Sequence, residues 1–438
     1  MEYFLTFIYT FLFILLIRKL SFFKTDGLSF RTLSIIFVLK IFAGIILSFI
    51  YTYYYTDRST ADIFKYFDDS KIMYDALFHK PSDFFRMLFG IENNSAYFDK
   101  TYYATMNNWY RVYDSNIYNE SHTIIRFNAL IRLFSFGYYN VHTVFICFLS
   151  LSGLTAVYKL VTTHIKNKNK ELIFGIFLLP GVLLWGSGVM KEGLIFFGLG
   201  FLIYHFFKFI NKPQLLSFLW IISCCILIYY TKLYILIITI PILIAHWWTK
   251  KTNYKYAFLK YISVSVLLFL IGLHLHYIFP GLNTIDILVT KQRDFIGLAK
   301  SMNSGSLIEI PIITDNIWSI IKNSPIAFLN TLFRPFIFEA NSIFSFFAAI
   351  ENLFIIFVLI VSLFFIKFKG INKSIFYSCL FAVIFMFILT GLITPVMGAI
   401  VRYKVPALPF LMILLIQLID KEKMIQKFPF LKFLNNEK

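Results

Sequence analysis

The chain has 438 residues, 59% of them hydrophobic, 20% aromatic and only 15% charged, with a formal net charge of +18. Soluble domains draw about 25% of their residues from the charged types, so this composition argues against a soluble globule, and apolar runs of spanning length indicate an integral membrane protein. The basicity does not mark a nucleic-acid partner: the loops 18–31, 159–171, 208–213, 249–260, 367–373 and 420–438 hold 22 Lys/Arg against 5 Asp/Glu, almost the whole excess, as expected of cytoplasmic loops under the positive-inside rule.

In chain order the predicted spans are 2–17, 32–54, 141–158, 172–189, 193–208, 214–230, 233–248, 257–277, 342–366, 374–397 and 403–419. The first run lacks a basic leader and a small-residue cleavage site, so it is expected to be a retained helix. The fold class is therefore an all-α polytopic membrane protein of about eleven transmembrane helices, N-terminus outside and C-terminus inside. One membrane domain, 1–438, would carry a large extracytoplasmic loop at 55–140 and a second extracytoplasmic segment at 278–341. The stretches 82–89 and 124–134 are amphipathic and suited to the bilayer interface. No domain-sized apolar core is evident in either outer segment. Cys147, Cys224, Cys225 and Cys379 all lie within apolar runs and are expected to be small core residues.

Loop 55–140 holds ten Asp/Glu against nine Lys/Arg, densest from Asp62 to Asp69. If this stretch is helical, Asp62, Tyr66 and Asp69 share one face. Carboxylates near a bilayer suit a general base, because desolvation raises their pKa toward the working range. The alternative is a solvated helix whose charges pair with one another. Tyr97, Phe98, Tyr102, Tyr103, Trp109, Tyr110, Tyr113 and Tyr118 crowd the same loop; such rings either stack on sugars or settle at the membrane interface.

Further on, Leu184-Trp185-Gly186-Ser187-Gly188-Val189-Met190-Lys191-Glu192-Gly193 places two opposite charges between apolar runs. This marks the outer turn of a helical hairpin, and a Lys kept on the disfavoured side beside a Glu points to a site within or near a cavity. Arg334-Pro335-Phe336 is a candidate phosphate binder, and Glu351, inside the ninth span, is expected to pair with Arg334 or Lys232 or to make a structural contact. Arg402, at the outer end of the last helix, is placed to fork a lipid phosphate or to snorkel to water. His79, His122, His274 and His276 have no zinc-type spacing, so no cofactor is assigned, with a divalent metal left open. No Gly-rich phosphate loop calls for ATP or a nucleotide sugar.

Asp62-x-x-x-Tyr66, early in a long external loop, resembles the first-loop motif of GT-C fold glycosyltransferases, with Ile63 where many members carry Glu and an extra helix ahead of the usual first one. Val401-Arg402-Tyr403-Lys404-Val405-Pro406 resembles the opening of the last helix in many such enzymes. The run 184–193 resembles one found in their relatives and in polysaccharide polymerases. The resemblance implies a multi-pass enzyme of the bacterial cytoplasmic membrane, active in cell-envelope polysaccharide biosynthesis. It would move a sugar, with inversion, from a polyprenyl-phosphate donor to a lipid-linked glycan, lipid or exported protein. Asp62 or Asp69 would be the catalytic base; Tyr66, Lys191, Glu192, Arg334, Arg402 and Tyr403 would bind substrate. The alternatives are an O-antigen-type polymerase and a lipid-linked sugar flippase or other transporter, the latter needing charges along a central pathway and often an internal repeat.

Overall fold

The computed structural model describes residues 1–110, 118–301 and 305–434. Among these residues the chain is helical and forms no β-strand. It opens with α1 (Glu2–Lys19) and α2 (Phe30–Phe49), the second capped by Ser29, whose Oγ accepts from the Thr32 N–H at 3.1 Å. Four loop helices follow: α3 (Asp62–His79), α4 (Pro81–Phe89), α5 (Ala96–Thr101) and α6 (Ser121–Ser135). The middle of the chain forms α7 (Tyr139–Thr162), α8 (Asn169–Ile173), α9 (Pro180–Trp185), α10 (Lys191–Asn211), α11 (Leu215–Lys251) and α12 (Ala257–His274). After α13 (Thr284–Ser301) and α14 (Ile317–Phe333) come α15 (Ile343–Phe364), α16 (Lys373–Ile393), α17 (Met397–Tyr403), α18 (Leu408–Leu418) and α19 (Lys421–Lys427).

Among the described residues eight helical stretches are long and apolar enough to cross a membrane: Phe30–Tyr54, Tyr139–Thr162, Lys191–Asn211, Leu215–Lys251, Tyr254–Tyr277, Ile343–Phe364, Lys373–Ile393 and Met397–Leu418. Two differences from the sequence expectation have local causes. Helix α1 is formed, but Glu2, Arg18 and Lys19 stand at its ends. The stretch expected at 172–189 is broken: a π-helical turn, Phe174–Leu178, and extended Leu179 precede α9, which starts on Pro180. Proline supplies no N–H and suits the first helical position, so it starts a new helix here.

Helix α11 is folded back on itself at Lys232, whose φ of −163° and ψ of 82° are not helical. A straight helix of this length would run about 55 Å. Instead Tyr230 O accepts from Thr123 Oγ1 at 2.7 Å in the long loop, while Lys250 Nζ donates to Asn211 Oδ1 in the last turn of α10. Both ends of α11 therefore lie beside the end of α10, and its two limbs are antiparallel.

The bundle has two chemically distinct ends. At one, Lys159 Nζ donates to Phe22 O at 3.0 Å, Lys168 to Ile416 O at 2.6 Å and Lys421 pairs with Glu171 at 2.9 Å. The basic segments of the chain thus gather on one face. The other end carries loop 55–138, tied down where Glu2 Oε1 accepts from Asn140 N–H at 3.0 Å. Between them α7 and α10 cross backbone to backbone at Gly153 and Gly200, where an added Cβ would run into Phe196 O or Gly153 O.

The long loop has an apolar core of its own, which the sequence did not suggest. Tyr66, Met73, Phe84, Phe98, Trp109 and Ile124 are among its buried members, and it joins the bundle through Ile146 and Leu194. Much of the aromatic run belongs to it: Tyr103 stacks on Trp109 with ring centroids 4.2 Å apart, and Trp109 on His122 at 3.8 Å. Tyr97 and Tyr110 stay exposed, and Tyr113 lies outside the described residues.

Candidate functional site

At the loop end, five segments bring charged side chains to one place. Asp62 is the first residue of α3. That helix is held in position from α6: Arg132 donates to Ser70 Oγ at 2.8 Å and to Phe67 O at 2.6 Å, with its guanidinium 4.0 Å from the Phe67 ring. Its start therefore cannot drift from the bundle. Lys191 and Glu192 open α10 after the turn 186–190, where Gly44 packs against Ser187 and leaves no room for a Cβ. Arg402 comes from α17, Lys232 from the fold of α11, and Glu120 from the residue before α6.

Arg402 is the hub. Its Nε meets Glu192 Oε1 at 2.6 Å, its Nη2 meets Oε2 at 3.2 Å, and its Nη1 meets Asp62 Oδ2 at 2.8 Å. Planar guanidinium suits this two-point grip, and charge-assisted bonds of this kind are among the strong ones. Lys191 Nζ pairs with Glu120 Oε2 at 3.0 Å and lies 5.7 Å from the centre of the Tyr66 ring. Lys232 Nζ sits 3.8 Å over the Tyr403 ring. Three cations and three carboxylates thus form one compact cluster, walled by tyrosines.

The cluster has an open side and a closed side. The Glu192 side chain is 1% exposed and that of Arg402 12%, whereas Asp62 keeps 39% of its side-chain surface. Burial against the protein would raise the Asp62 carboxyl, but the Arg402 guanidinium outweighs it and holds the group down to about 2. At neutral pH Asp62 is an ionised, solvent-facing carboxylate on the rim, beside a cation-rich floor. Such an arrangement can accept a proton at the rim and hold an anion below it.

Asp62, Tyr66, Lys191, Glu192, Arg402 and Tyr403, singled out in the sequence on three distant segments, come together here. Asp69 does not. It is fully buried two turns along α3, where its Oδ1 accepts from the Asn107 N–H at 2.7 Å and Asn107 Nδ2 at 2.9 Å, and its Oδ2 from the Asn108 N–H at 2.8 Å. Burial pushes its carboxyl above the usual range despite these donors, yet both oxygens are occupied in organising the loop at 107–108. Arg334 also stands apart, with Nε 3.4 Å from Glu339 Oε1.

Glu351 pairs with neither Arg334 nor Lys232 and makes a structural contact, the third of its expected alternatives. It accepts from the Gly181 N–H at the start of α9 and has Lys404 as its cationic neighbour. Lys404 Nζ donates to Asn352 Oδ1 at 2.7 Å, Arg334 O at 3.0 Å and Thr331 O at 3.2 Å. This buried knot ties α9, α14 and α15 to Lys404, two residues after Arg402, and so fixes the hub from behind. Lys404 and Glu120 were not singled out in the sequence, and Lys232 only as a partner for Glu351. Lys232 carries the same signal as Lys191, a lone cation between apolar runs on the non-basic side. Nothing distinguishes Glu120 from the other loop acids. Among the described residues no group of three or more His, Cys, Asp or Glu is placed to hold a metal ion.

No protein family, curated protein or solved structure matches this chain.

Proposed function

We propose that the protein is a multi-pass membrane glycosyltransferase of the GT-C type, using a polyprenyl-phosphate-linked sugar at the loop end of the bundle. The observation that carries this is the single cluster in which a rim carboxylate, Asp62, shares its partner Arg402 with a buried carboxylate, Glu192, beside Lys191 and Lys232. The donor phosphate would enter at the Nη1 edge of Arg402, where it competes with Asp62. Release from Arg402 lets the Asp62 pKa rise from about 2 toward the ordinary carboxylate value of about 4, making it a better base. Donor binding thereby switches on proton abstraction.

The acceptor hydroxyl then attacks the anomeric carbon as Asp62 takes its proton. The bond from that carbon to the phosphate oxygen breaks, and its electron pair leaves with the lipid phosphate. Arg402, with Lys191 and Lys232, neutralises the charge that develops there. Glu192 keeps Arg402 aimed, and Tyr66 and Tyr403 border the cation floor. Asp69 organises the loop rather than taking the proton.

The concentration of basic residues at the opposite end supports a topology with that end in the cytoplasm. We take the crossings as eleven: the eight apolar stretches with α11 counted as two limbs, together with α1 and the broken α8–α9 segment. The acceptor is a lipid-linked glycan, lipid or exported protein, and the membrane is the bacterial cytoplasmic membrane. A polymerase would use the same residues but make product ladders in place of single additions.

The test is a transfer assay in membranes, following release of lipid phosphate from a panel of polyprenyl-phosphate sugars. Wild type should release it and Asp62→Asn should not. Full activity in Asp62→Asn would sink the scheme.

A further inference from the structure

The basic end of the bundle holds a polar cavity, at the opposite end from the proposed transfer site. It measures about 770 Å³ and is walled by segments 164–168, 367–372 and 417–422. Five lysines line it, Lys166, Lys168, Lys367, Lys369 and Lys421, against two carboxylates, Asp420 and Glu422. Three of these lysines are engaged: Lys168 donates to Ile416 O and Ile419 O at 2.6 and 2.7 Å, Lys421 pairs with Glu171 at 2.9 Å, and Lys367 approaches Asp420 at 3.7 Å. Lys166 and Lys369 make no ion pair among the described residues and leave the cavity positive.

An independent observation comes from Gln417, in the last turn of α18 on the same wall. It is only 7% exposed, yet neither Oε1 nor Nε2 of its amide has a hydrogen-bond partner among the described residues. An unsatisfied buried amide is costly, and a cavity occupant able both to accept from Nε2 and to donate to Oε1 removes that cost. Asn372, also on the wall, caps the N-terminus of the 21-residue α16, so the positive end of that helix lies at the cavity too. The crowding of cations is felt at Lys168, which burial and then neighbours including Lys421 and Lys367 bring down to about 8 despite Glu171 and Asp420.

We propose that this cavity binds a phosphate-bearing anion, held by Lys166 and Lys369 with Gln417 as its neutral hydrogen-bonding partner. A phosphate group supplies the acceptor oxygens, and the O–H that Gln417 Oε1 requires comes from a singly protonated phosphate or from a hydroxyl on the headgroup, such as the glycerol of phosphatidylglycerol. The anion is either the headgroup of an acidic lipid in the adjoining leaflet or a soluble phosphate compound. The inference does not depend on the transferase proposal.

The test uses the full-length protein in phosphatidylcholine nanodiscs and a lysine-reactive label read by mass spectrometry. Wild type is labelled alone, with pyrophosphate, and in nanodiscs containing phosphatidylglycerol. Labelling of Lys166 and Lys369 should drop with at least one of these, while exposed Lys71 is unaffected. Protection by pyrophosphate alone identifies a soluble ligand, protection by phosphatidylglycerol alone a lipid headgroup, and protection by both the phosphate group itself. Lys369→Gln should weaken the protecting ligand about tenfold, the loss of one charge-assisted contact. Equal labelling in all three conditions overturns the proposal, and so does undiminished affinity in Lys166→Gln/Lys369→Gln.

Discussion

Arg402 and Glu192 lie 210 positions apart in the sequence and meet in a two-point ion pair at 2.6 and 3.2 Å, with the Glu192 side chain 1% exposed. The third arm of the same guanidinium reaches Asp62, 340 positions away, on the rim. One residue therefore joins a sealed contact to an open one, and the two contacts should respond differently to substitution.

Glu192→Ala leaves a buried guanidinium short of its main partner, and breaking such a pair costs about 3–5 kcal/mol. Asp62→Ala removes a partly solvated partner and should cost no more than about 1 kcal/mol. Thermal unfolding in detergent should therefore show a much larger fall for Glu192→Ala. Equal falls would mean that the two contacts are alike.

Asp62 and Asp69 should separate function from folding. Asp62→Asn is expected to lose activity by a factor of about 10²–10⁴ with its melting temperature nearly unchanged. Asp69→Asn can accept the loop donors with one oxygen only, so it should melt lower and expose the 107–108 loop to protease. The opposite split would make Asp69 the base.

The pH response follows from the depressed Asp62 pKa. Its unfolded value is about 3.9 and its folded value about 2, so the ionised form stabilises the protein above pH 4. That contribution disappears as the pH falls through 2. Wild type should be slightly more stable than Asp62→Asn at neutral pH, with the gap closing on acidification; solvent screening keeps the gap small. In Arg402→Gln the acid limb of kcat/KM for the donor, which reports the free enzyme, should move up toward pH 4. A limb that stays put would remove Arg402 as the cause.

The crossing of α7 and α10 carries the site at a distance. Gly153→Leu must drive a side chain into the Phe196 backbone, and overpacking of this kind costs about 1–3 kcal/mol or more. It should reduce the folded yield and, by shifting the start of α10, weaken the site in what does fold. Normal yield with normal activity would show that the helices can part freely there.

Charges at the ends of apolar runs were legible in the sequence: Lys191 and Glu192 open the spanning α10, Arg402 stands near the start of the last span, and Asp62 opens the loop helix α3. Pro180 was a readable break, although Pro241 and Pro325 lie inside helices. The pairing itself was not legible, because spacing along the chain says nothing about contacts between distant segments. Arg402 was read as a phosphate fork or a cation snorkelling to water, and its grip by Glu192 and Asp62 was not legible. The fold at Lys232 falls in the gap between the expected spans 214–230 and 233–248, marked by a charge rather than by Gly or Pro. The loop core was missed because hydropathy does not distinguish a tyrosine at a membrane interface from Tyr103 stacked against Trp109.

The most direct test of the central claim is a cryo-EM map of the full-length protein with polyprenyl phosphate bound. Phosphate density is expected against the Nη1 edge of Arg402, with the Arg402–Asp62 contact opened and the Glu192 contact intact. Phosphate density elsewhere, with Asp62 still paired to Arg402, would contradict it.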